Sequence, residues 1–153
     1  MLDRITIQFP EKIHFSTDLY VRVGDINYAN HLSHDRLITM IHEARMQFFE
    51  ELGLKEYEPD GVGIVIADLG IQYLKEAFYK NRLTIDIAAP RLEKKGIQLV
   101  YRVSRRLQDD NTDKQELVAL AKTGAVFFDY RTRRAATVPE GLADLIAQQE
   151  KRA

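Results

Sequence analysis

Residues 21–53 read VRVGDINYANHLSHDRLITMIHEARMQFFEELG and contain the longest helical pattern of this 153-residue chain. Within 35–52 the apolar residues recur three or four positions apart, at Leu37, Ile41, Ala44, Phe48 and Leu52. This spacing places them on one face and predicts one long helix, which Gly53 is positioned to end. Ser33–Asp35 marks the start of the helix, where a short polar side chain can cap the free backbone amides.

Strand-like segments lie on both sides of this helix. In His14–Val23 the apolar residues fall mostly on odd positions, the period of a half-buried strand. Four more strands are predicted after the helix, at Val62–Leu74, Leu83–Arg91, Ile97–Leu107 and Glu116–Tyr130. Their connections are short and include a turn at Asp109–Asn111, so neighbouring strands must pair antiparallel. Glu140–Gln149 predicts a short C-terminal helix, with Leu142, Leu145 and Ile146 on one side.

One long apolar helix followed by antiparallel strands must be covered on most of its circumference. A curved sheet wrapped around the helix satisfies this requirement, which predicts an α+β fold in a single domain spanning residues 1–153. Because Val62–Leu74 is apolar on both faces, we expect the outer face of the sheet to meet something as well, such as a second subunit.

Composition excludes several classes of function. With 22 Lys and Arg against 23 Asp and Glu, the formal charge is −1, so nucleic-acid binding is not expected. The chain has no cysteine, which removes disulfides, a cysteine nucleophile and cysteine metal sites, and favours a cytoplasmic location. No stretch has the roughly 20 continuous apolar residues that a membrane span needs.

Familiar catalytic signatures are missing from the sequence. No serine lies in a Gly-x-Ser-x-Gly elbow, and His31 with His34 lacks the further ligands that a metal site needs. What remains is the polar loop 23–35, which leads into the predicted helix, where free amides can polarise a carbonyl oxygen. From spacing alone the favoured interpretation is structural, with Asp25 and Asn27 serving turn geometry.

The stretch 21–53 resembles the loop and central helix of the hot-dog fold acyl-CoA thioesterases of the 4-hydroxybenzoyl-CoA thioesterase type. Glu43–Arg45 matches the Glu-Ala-Arg of that helix, and Val65–Ala77 resembles the family's strand ending in Tyr-x-x-Pro-Ala, with Glu76 in place of the proline. The likeness covers most of the chain. It implies a hot-dog fold, with a curved antiparallel sheet around one central helix.

The resemblance also implies site residues. Asn27 stands where the family has the aspartate that acts on the thioester carbonyl, and a neutral amide can orient water but cannot accept its proton. The base would then come from Asp25 or Glu43, although each has a structural alternative, as a turn residue or as a partner of Arg45. His31 would border the site, and the backbone amide of His34 would polarise the thioester carbonyl.

The implied reaction is hydrolysis of an acyl-CoA, or an acyl-carrier-protein thioester, to a free acid and a thiol. No cofactor or metal is expected, because coenzyme A is part of the substrate, and Lys75 and Lys94 are the candidates to bind it. The family places its pocket at a dimer interface, which implies a homodimer or a homotetramer. Two alternatives stay open: a protein that binds acyl thioesters without hydrolysing them, and hydration or dehydration of an acyl thioester.

Overall fold

The structure of the protein is a computed structural model that describes residues 1–107 and 114–152. The helices in these ranges are α1 (His34–Glu51) and α2 (Leu142–Gln148). The strands are β1 (Lys12–Ile13), β2 (Phe15–Tyr20), β3 (Val62–Tyr73), β4 (Arg82–Leu92), β5 (Gly96–Arg106), β6 (Gln115–Asp129), β7 (Arg134–Ala135) and β8 (Lys151–Arg152). The turn predicted at Asp109–Asn111 lies outside the described residues.

The main sheet has the strand order β2-β4-β5-β6-β3, and β7 pairs with β6. All of its pairings are antiparallel, as predicted. The expectation that the short connections join paired strands holds for β4–β5 and β5–β6 but was wrong for β3–β4, because β3 pairs with β6 at the sheet edge and β4 pairs with β2 and β5. Register shifts interrupt β3 between Ile66 and Asp68 and β4 between Ala88 and Arg91. Such bulges bend and twist a strand, so they help the long strands curl. A separate pair, β1 with β8, joins residues from the two ends of the described chain.

Helix α1 packs against β2 and β4 and supplies the centre of the core. The predicted apolar face is confirmed, since its members are at most 4% exposed: Leu37, Ile41, Ala44, Phe48 and Leu52. Met40 and Phe49 are also buried, which widens this face beyond the prediction. Gly53 follows the helix with a φ of 70°, a left-handed conformation that glycine adopts without steric cost. The result is the predicted α+β architecture, a curled antiparallel sheet around one long helix with a short C-terminal helix.

Helix α2 is shorter than predicted and differs in one residue of its apolar side. Leu142 and Ile146 are buried, as expected, whereas Leu145 is 41% exposed. Two buried positions four residues apart are enough to hold a helix of seven residues against the core. The prediction that Leu145 shares the buried side was therefore wrong.

The outer face of the sheet is partly covered by the chain's own first residues. Ile7 is buried, and its amide donates to Gln72 Oε1 over 3.4 Å. The guanidinium of Arg102 lies 4.6 Å from the centre of the Phe9 ring. Arg102 alternates with the buried Tyr101 and Val103, so it points away from the core. Gln72 shares this outer face, because Gln72 and Arg102 both pair with Leu120 of β6. The chain's own first residues thus cover part of the outer face that we expected a second subunit to cover.

Candidate active site

The loop between β2 and α1 is built around a tight turn at Asn27–Asn30. The Asn30 amide donates to the Asn27 carbonyl over 3.0 Å, and the Asn27 amide donates to the His31 carbonyl over 3.0 Å. Asn30 has a φ of 65°, a left-handed conformation that asparagine tolerates better than most residues. Asn27 Oδ1 also accepts the Ala29 amide over 3.0 Å. The Asn27 side chain therefore shapes the turn with its oxygen, while its NH₂ group can serve as a donor.

Two backbone hydrogen bonds fix this loop in the fold. The Ser33 amide donates to the Asp25 carbonyl over 2.9 Å, and the Leu32 amide donates to the Ala77 carbonyl over 2.7 Å. The second bond ties the loop to the segment that follows β3. Between the loop and this segment lies a cavity of about 330 Å³, the site cavity. Its polar lining consists of Asn27, His31, His34, Tyr73, Lys75 and Glu76.

The start of α1 opens into the site cavity. Ser33 is the N-cap residue, but its side chain makes no capping hydrogen bond, contrary to our expectation. Its hydroxyl donates instead to Asp35 Oδ1, and this bond lowers the pKa of the Asp35 carboxyl. The amides of a first helical turn have no acceptor within the helix. The His34 amide is thus left available to a ligand, and the positive end of the helix dipole favours a ligand with negative charge.

Tyr73, the last residue of β3, braces this helix start from the other side of the cavity. Its hydroxyl donates to the His34 carbonyl over 2.8 Å, and its ring meets the His34 ring edge to face with centroids 6.4 Å apart. Partial burial raises the pKa of the Tyr73 hydroxyl, with a smaller contribution from the nearby Asp35 carboxylate. The hydroxyl therefore stays protonated and keeps its role as a donor at neutral pH.

His31 contacts polar groups through both ring nitrogens. Nδ1 lies 3.2 Å from the Leu32 carbonyl oxygen, and Nε2 lies 3.9 Å from Glu76 Oε1. Sequence reasoning predicted His31 at the site but gave Glu76 no role. The available signal was the departure from Tyr-x-x-Pro-Ala, which puts an ionisable side chain where the family has a proline.

Asp25 and Glu43 do not line the site cavity. Both line a second cavity of about 530 Å³ beside α1, together with apolar residues that include Met40. Asp25 is 5% exposed, and its Oδ2 accepts the Arg22 amide over 2.8 Å. Glu43 Oε1 accepts the side-chain amide of Gln47 over 3.0 Å. The catalytic roles predicted for these two carboxylates stay predictions.

The partner that we considered for Glu43, Arg45, is engaged elsewhere. Its side chain is 8% exposed, and Nε donates to Glu56 Oε1 over 3.0 Å. A longer contact of 3.5 Å reaches the Tyr101 hydroxyl, which is itself 2.8 Å from Thr123 Oγ1. The arginine of the Glu-Ala-Arg motif thus belongs to a buried polar network in the core.

The two lysines proposed to bind coenzyme A lie far apart. Lys75 lines the site cavity. Lys94 lies in the β4–β5 turn, where the carbonyl of the next residue, Lys95, accepts the Phe127 amide of β6, whereas Tyr73 pairs with Ala119 of the same strand. Eight residues of strand separate these two levels, about 26 Å at ~3.3 Å per residue. The structure therefore does not bring Lys94 to the site cavity of its own chain.

Within residues 1–107 and 114–152, no three His, Asp or Glu side chains are grouped as a metal site would require. In the same part of the chain, no helix combines the length and the apolar character needed to cross a membrane.

A comparison with protein families matches residues 21–146 to the model described as the Thioesterase-like superfamily. The chain belongs to this superfamily. The match includes the loop, α1 and the whole site cavity, and it confirms the family that the sequence resembles. Among curated protein sequences, none matches the chain.

Solved structures of this superfamily share the fold. PA2801, a putative thioesterase from Pseudomonas aeruginosa, superposes with a TM-score of 0.77 at 22% identity, over 88% of this chain and 98% of that one. Slr0204, a 1,4-dihydroxy-2-naphthoyl-CoA thioesterase from Synechocystis, gives 0.74 at 16% identity, over 89% and 96%. An aspartate-to-asparagine mutant of 4-hydroxybenzoyl-CoA thioesterase, complexed with 4-hydroxybenzoyl-CoA, gives 0.75 at 21% identity, over 90% and 99%. The predicted hot-dog fold is confirmed.

Proposed function

We propose that this protein hydrolyses an acyl-CoA, or an acyl-carrier-protein thioester, to a free acid and a thiol. The observation that carries the proposal is the start of α1, where Ser33 leaves the His34 backbone amide uncapped beside a cavity lined by Asn27, His31 and His34. Membership of the thioesterase-like superfamily supports the reaction class. Two of the similar structures are described as thioesterases of aromatic acyl-CoA substrates, which supports a CoA thioester as the substrate.

In this proposal the thioester carbonyl oxygen accepts a hydrogen bond from the His34 amide. Attack on the carbonyl carbon moves negative charge onto that oxygen, so the amide and the helix dipole bind the transition state more tightly than the substrate. Removing one such donor from a hydrolase costs about 3–4 kcal/mol of transition-state stabilisation. His31 and the Asn27 NH₂ group position the attacking water, and Lys75 lies at the cavity for a phosphate of coenzyme A.

We further propose that the protein is a homodimer joined through β3. This strand of twelve residues forms one edge of the main sheet. Two apolar side chains of β3, Val65 and Leu69, are about 40% exposed, although the edge strands of soluble proteins usually carry charged residues or proline. An antiparallel copy of the strand would satisfy the free backbone groups and cover these side chains. Light scattering on the purified protein tests this assembly and separates a dimer from a dimer of dimers.

The reaction is tested by thiol release from short, long and aromatic acyl-CoAs. Wild-type protein, Asn27→Asp and Asp25→Ala are assayed side by side, with a melting curve for each variant. Turnover by the wild type supports a hydrolase. Loss of turnover in Asp25→Ala at an unchanged melting temperature would give the base role to Asp25.

A second candidate function rests on the neutral side chain of Asn27, which cannot take a proton from water. A protein that binds acyl thioesters without hydrolysing them would show no wild-type turnover on any substrate of the panel. In that case activity would appear only in Asn27→Asp, because the rest of the site would be intact.

A further inference from the structure

We infer that Glu76 is the general base of this site and that it shares one water molecule with His31. The inference rests on the proposed hydrolysis. Among the described residues that line the site cavity, Glu76 is the one with a carboxylate. Its Oε1 lies 3.9 Å from Nε2 of His31, and both side chains face the cavity into which α1 opens.

The backbone on both sides of Glu76 is held in place. Before it, the amides of Leu74 and Lys75 both donate to the Val118 carbonyl, over 2.9 and 3.1 Å. After it, the Ala77 carbonyl accepts the Leu32 amide over 2.7 Å, and Leu32 directly follows His31 in sequence. Glu76 is therefore anchored beside His31 although its side chain is 64% exposed. Exposure gives the carboxylate access to water, which a hydrolytic base requires.

The tautomer of His31 in this proposal is assigned from its contacts. A carbonyl oxygen can only accept, so a neutral imidazole that bonds the Leu32 carbonyl over 3.2 Å carries its ring hydrogen on Nδ1. Nε2 is then an acceptor, and it faces another acceptor, Glu76 Oε1, at a distance longer than a hydrogen bond. A water oxygen about 2.8 Å from both His31 Nε2 and Glu76 Oε1 sees these two atoms at an angle of about 90°, close to the H–O–H angle. The water therefore donates one hydrogen to each of them. One of its lone pairs accepts from the Asn27 NH₂ group, and the other is left free to attack.

The reaction then proceeds with all atoms and charges balanced. The water oxygen bonds to the thioester carbonyl carbon, one water proton moves to Glu76, and the carbonyl electron pair moves onto the oxygen held by the His34 amide. When that pair returns, the carbon–sulfur bond breaks and its electrons leave on sulfur. The thiolate takes the proton from Glu76, which restores the carboxylate. The products are one free acid and one thiol.

The test compares thiol release by the wild type and Glu76→Gln. Glutamine keeps the size of the side chain but cannot accept the proton, so we expect kcat to fall about 10²–10⁴-fold with KM within about twofold. Asn27→Asp in the Glu76→Gln background returns a carboxylate to the same cavity. We expect the kcat of this double variant to be at least about tenfold higher than that of Glu76→Gln alone. Glu51→Gln, at the exposed far end of α1 about 26 Å from the helix start, is the matched control.

The outcomes separate the two proposals. No turnover by the wild type on any substrate overturns the proposed hydrolysis, and the role of Glu76 with it. Wild-type turnover with Glu76→Gln within twofold of it overturns the role of Glu76 alone. A rise in KM at constant kcat also overturns it, because it would mean that Glu76 binds substrate. Loss of turnover in Asp25→Ala but not in Glu76→Gln would move the base to Asp25.

Discussion

The buried Arg45 depends on Glu56 for its charge partner, and we expect Glu56→Ala to destabilise the fold strongly. The Arg45 side chain is 8% exposed, and its 3.0 Å bond to Glu56 is its shortest polar contact. Removing one partner of a buried ion pair costs about 3–5 kcal/mol, because the other charge stays buried and unpaired. Glu56 is 22% exposed, so water can partly replace it. The expected loss is therefore about 3 kcal/mol, the lower end of that range.

The converse substitution, Arg45→Met, gives a matched comparison. Methionine fills much of the same volume without a charge, while Glu56 keeps its 3.0 Å contact with the half-exposed His42. We expect a loss of only about 1 kcal/mol, because the remaining Glu56 carboxylate is partly exposed to water and keeps its contact with His42, so no unpaired charge is left buried. Urea unfolding at fixed protein concentration measures both losses, and the double variant gives the coupling energy. A larger loss in Arg45→Met than in Glu56→Ala would refute this reasoning.

Three more predictions concern the site, acid stability and assembly. Tyr73→Phe removes the hydroxyl that braces the His34 carbonyl, a bond of about 1 kcal/mol, so we expect thiol-release kcat to fall about fivefold and the melting temperature to fall by about 2–4 °C; an unchanged kcat would contradict this. Burial lowers the pKa of His14, with Lys12 adding to the effect and Glu150 opposing it. The unfolded chain therefore binds the proton more readily, so stability is constant above the ordinary histidine pKa and falls below it by at most about 1.4 kcal/mol per pH unit. The free energy of unfolding, measured by urea titration at pH values from 8 to 5, should change less with pH in His14→Asn than in the wild type. An equal dependence on pH in the two proteins would be evidence against His14 as the cause. Leu69→Lys on the β3 edge should convert the proposed dimer to a monomer in light scattering, whereas an unchanged mass would place the interface elsewhere.

Periodicity predicted the parts of the fold that depend on local sequence. The face of α1 follows from apolar residues three or four positions apart, and the long strands β3 to β6 follow from alternating or continuous apolar runs. Short connections predict the antiparallel pairing of β4 with β5 and of β5 with β6, but not the pairing of β3 with β6, which are distant in sequence. The two-residue strands β1, β7 and β8 were not predicted, because they exist only through pairing with distant residues. The packing of Ile7 on the outer face is also a long-range contact, which no local pattern encodes.

The site was predictable to the extent that it lies on one stretch of chain. Asn27, His31 and His34 precede or begin α1, and the structure places all three around one cavity. Asp25 lies only two residues from Asn27, but its side chain turns back to the Arg22 amide and is buried, which sequence spacing does not reveal. Glu76 lies in the segment that follows β3 and is held beside His31 by the hydrogen bond between the Leu32 amide and the Ala77 carbonyl, a contact between residues distant in sequence.

The strand with the free edge is also the strand that delivers Tyr73 and Glu76 to the cavity. A partner strand that orders β3 and a ligand that orders the Tyr73–Ala77 segment therefore act on one continuous piece of backbone. Any coupling between the two events is reciprocal by thermodynamic linkage. If substrate tightens the association of two protomers, association tightens substrate binding by the same factor, and the specific activity of dilute protein then depends on its own concentration.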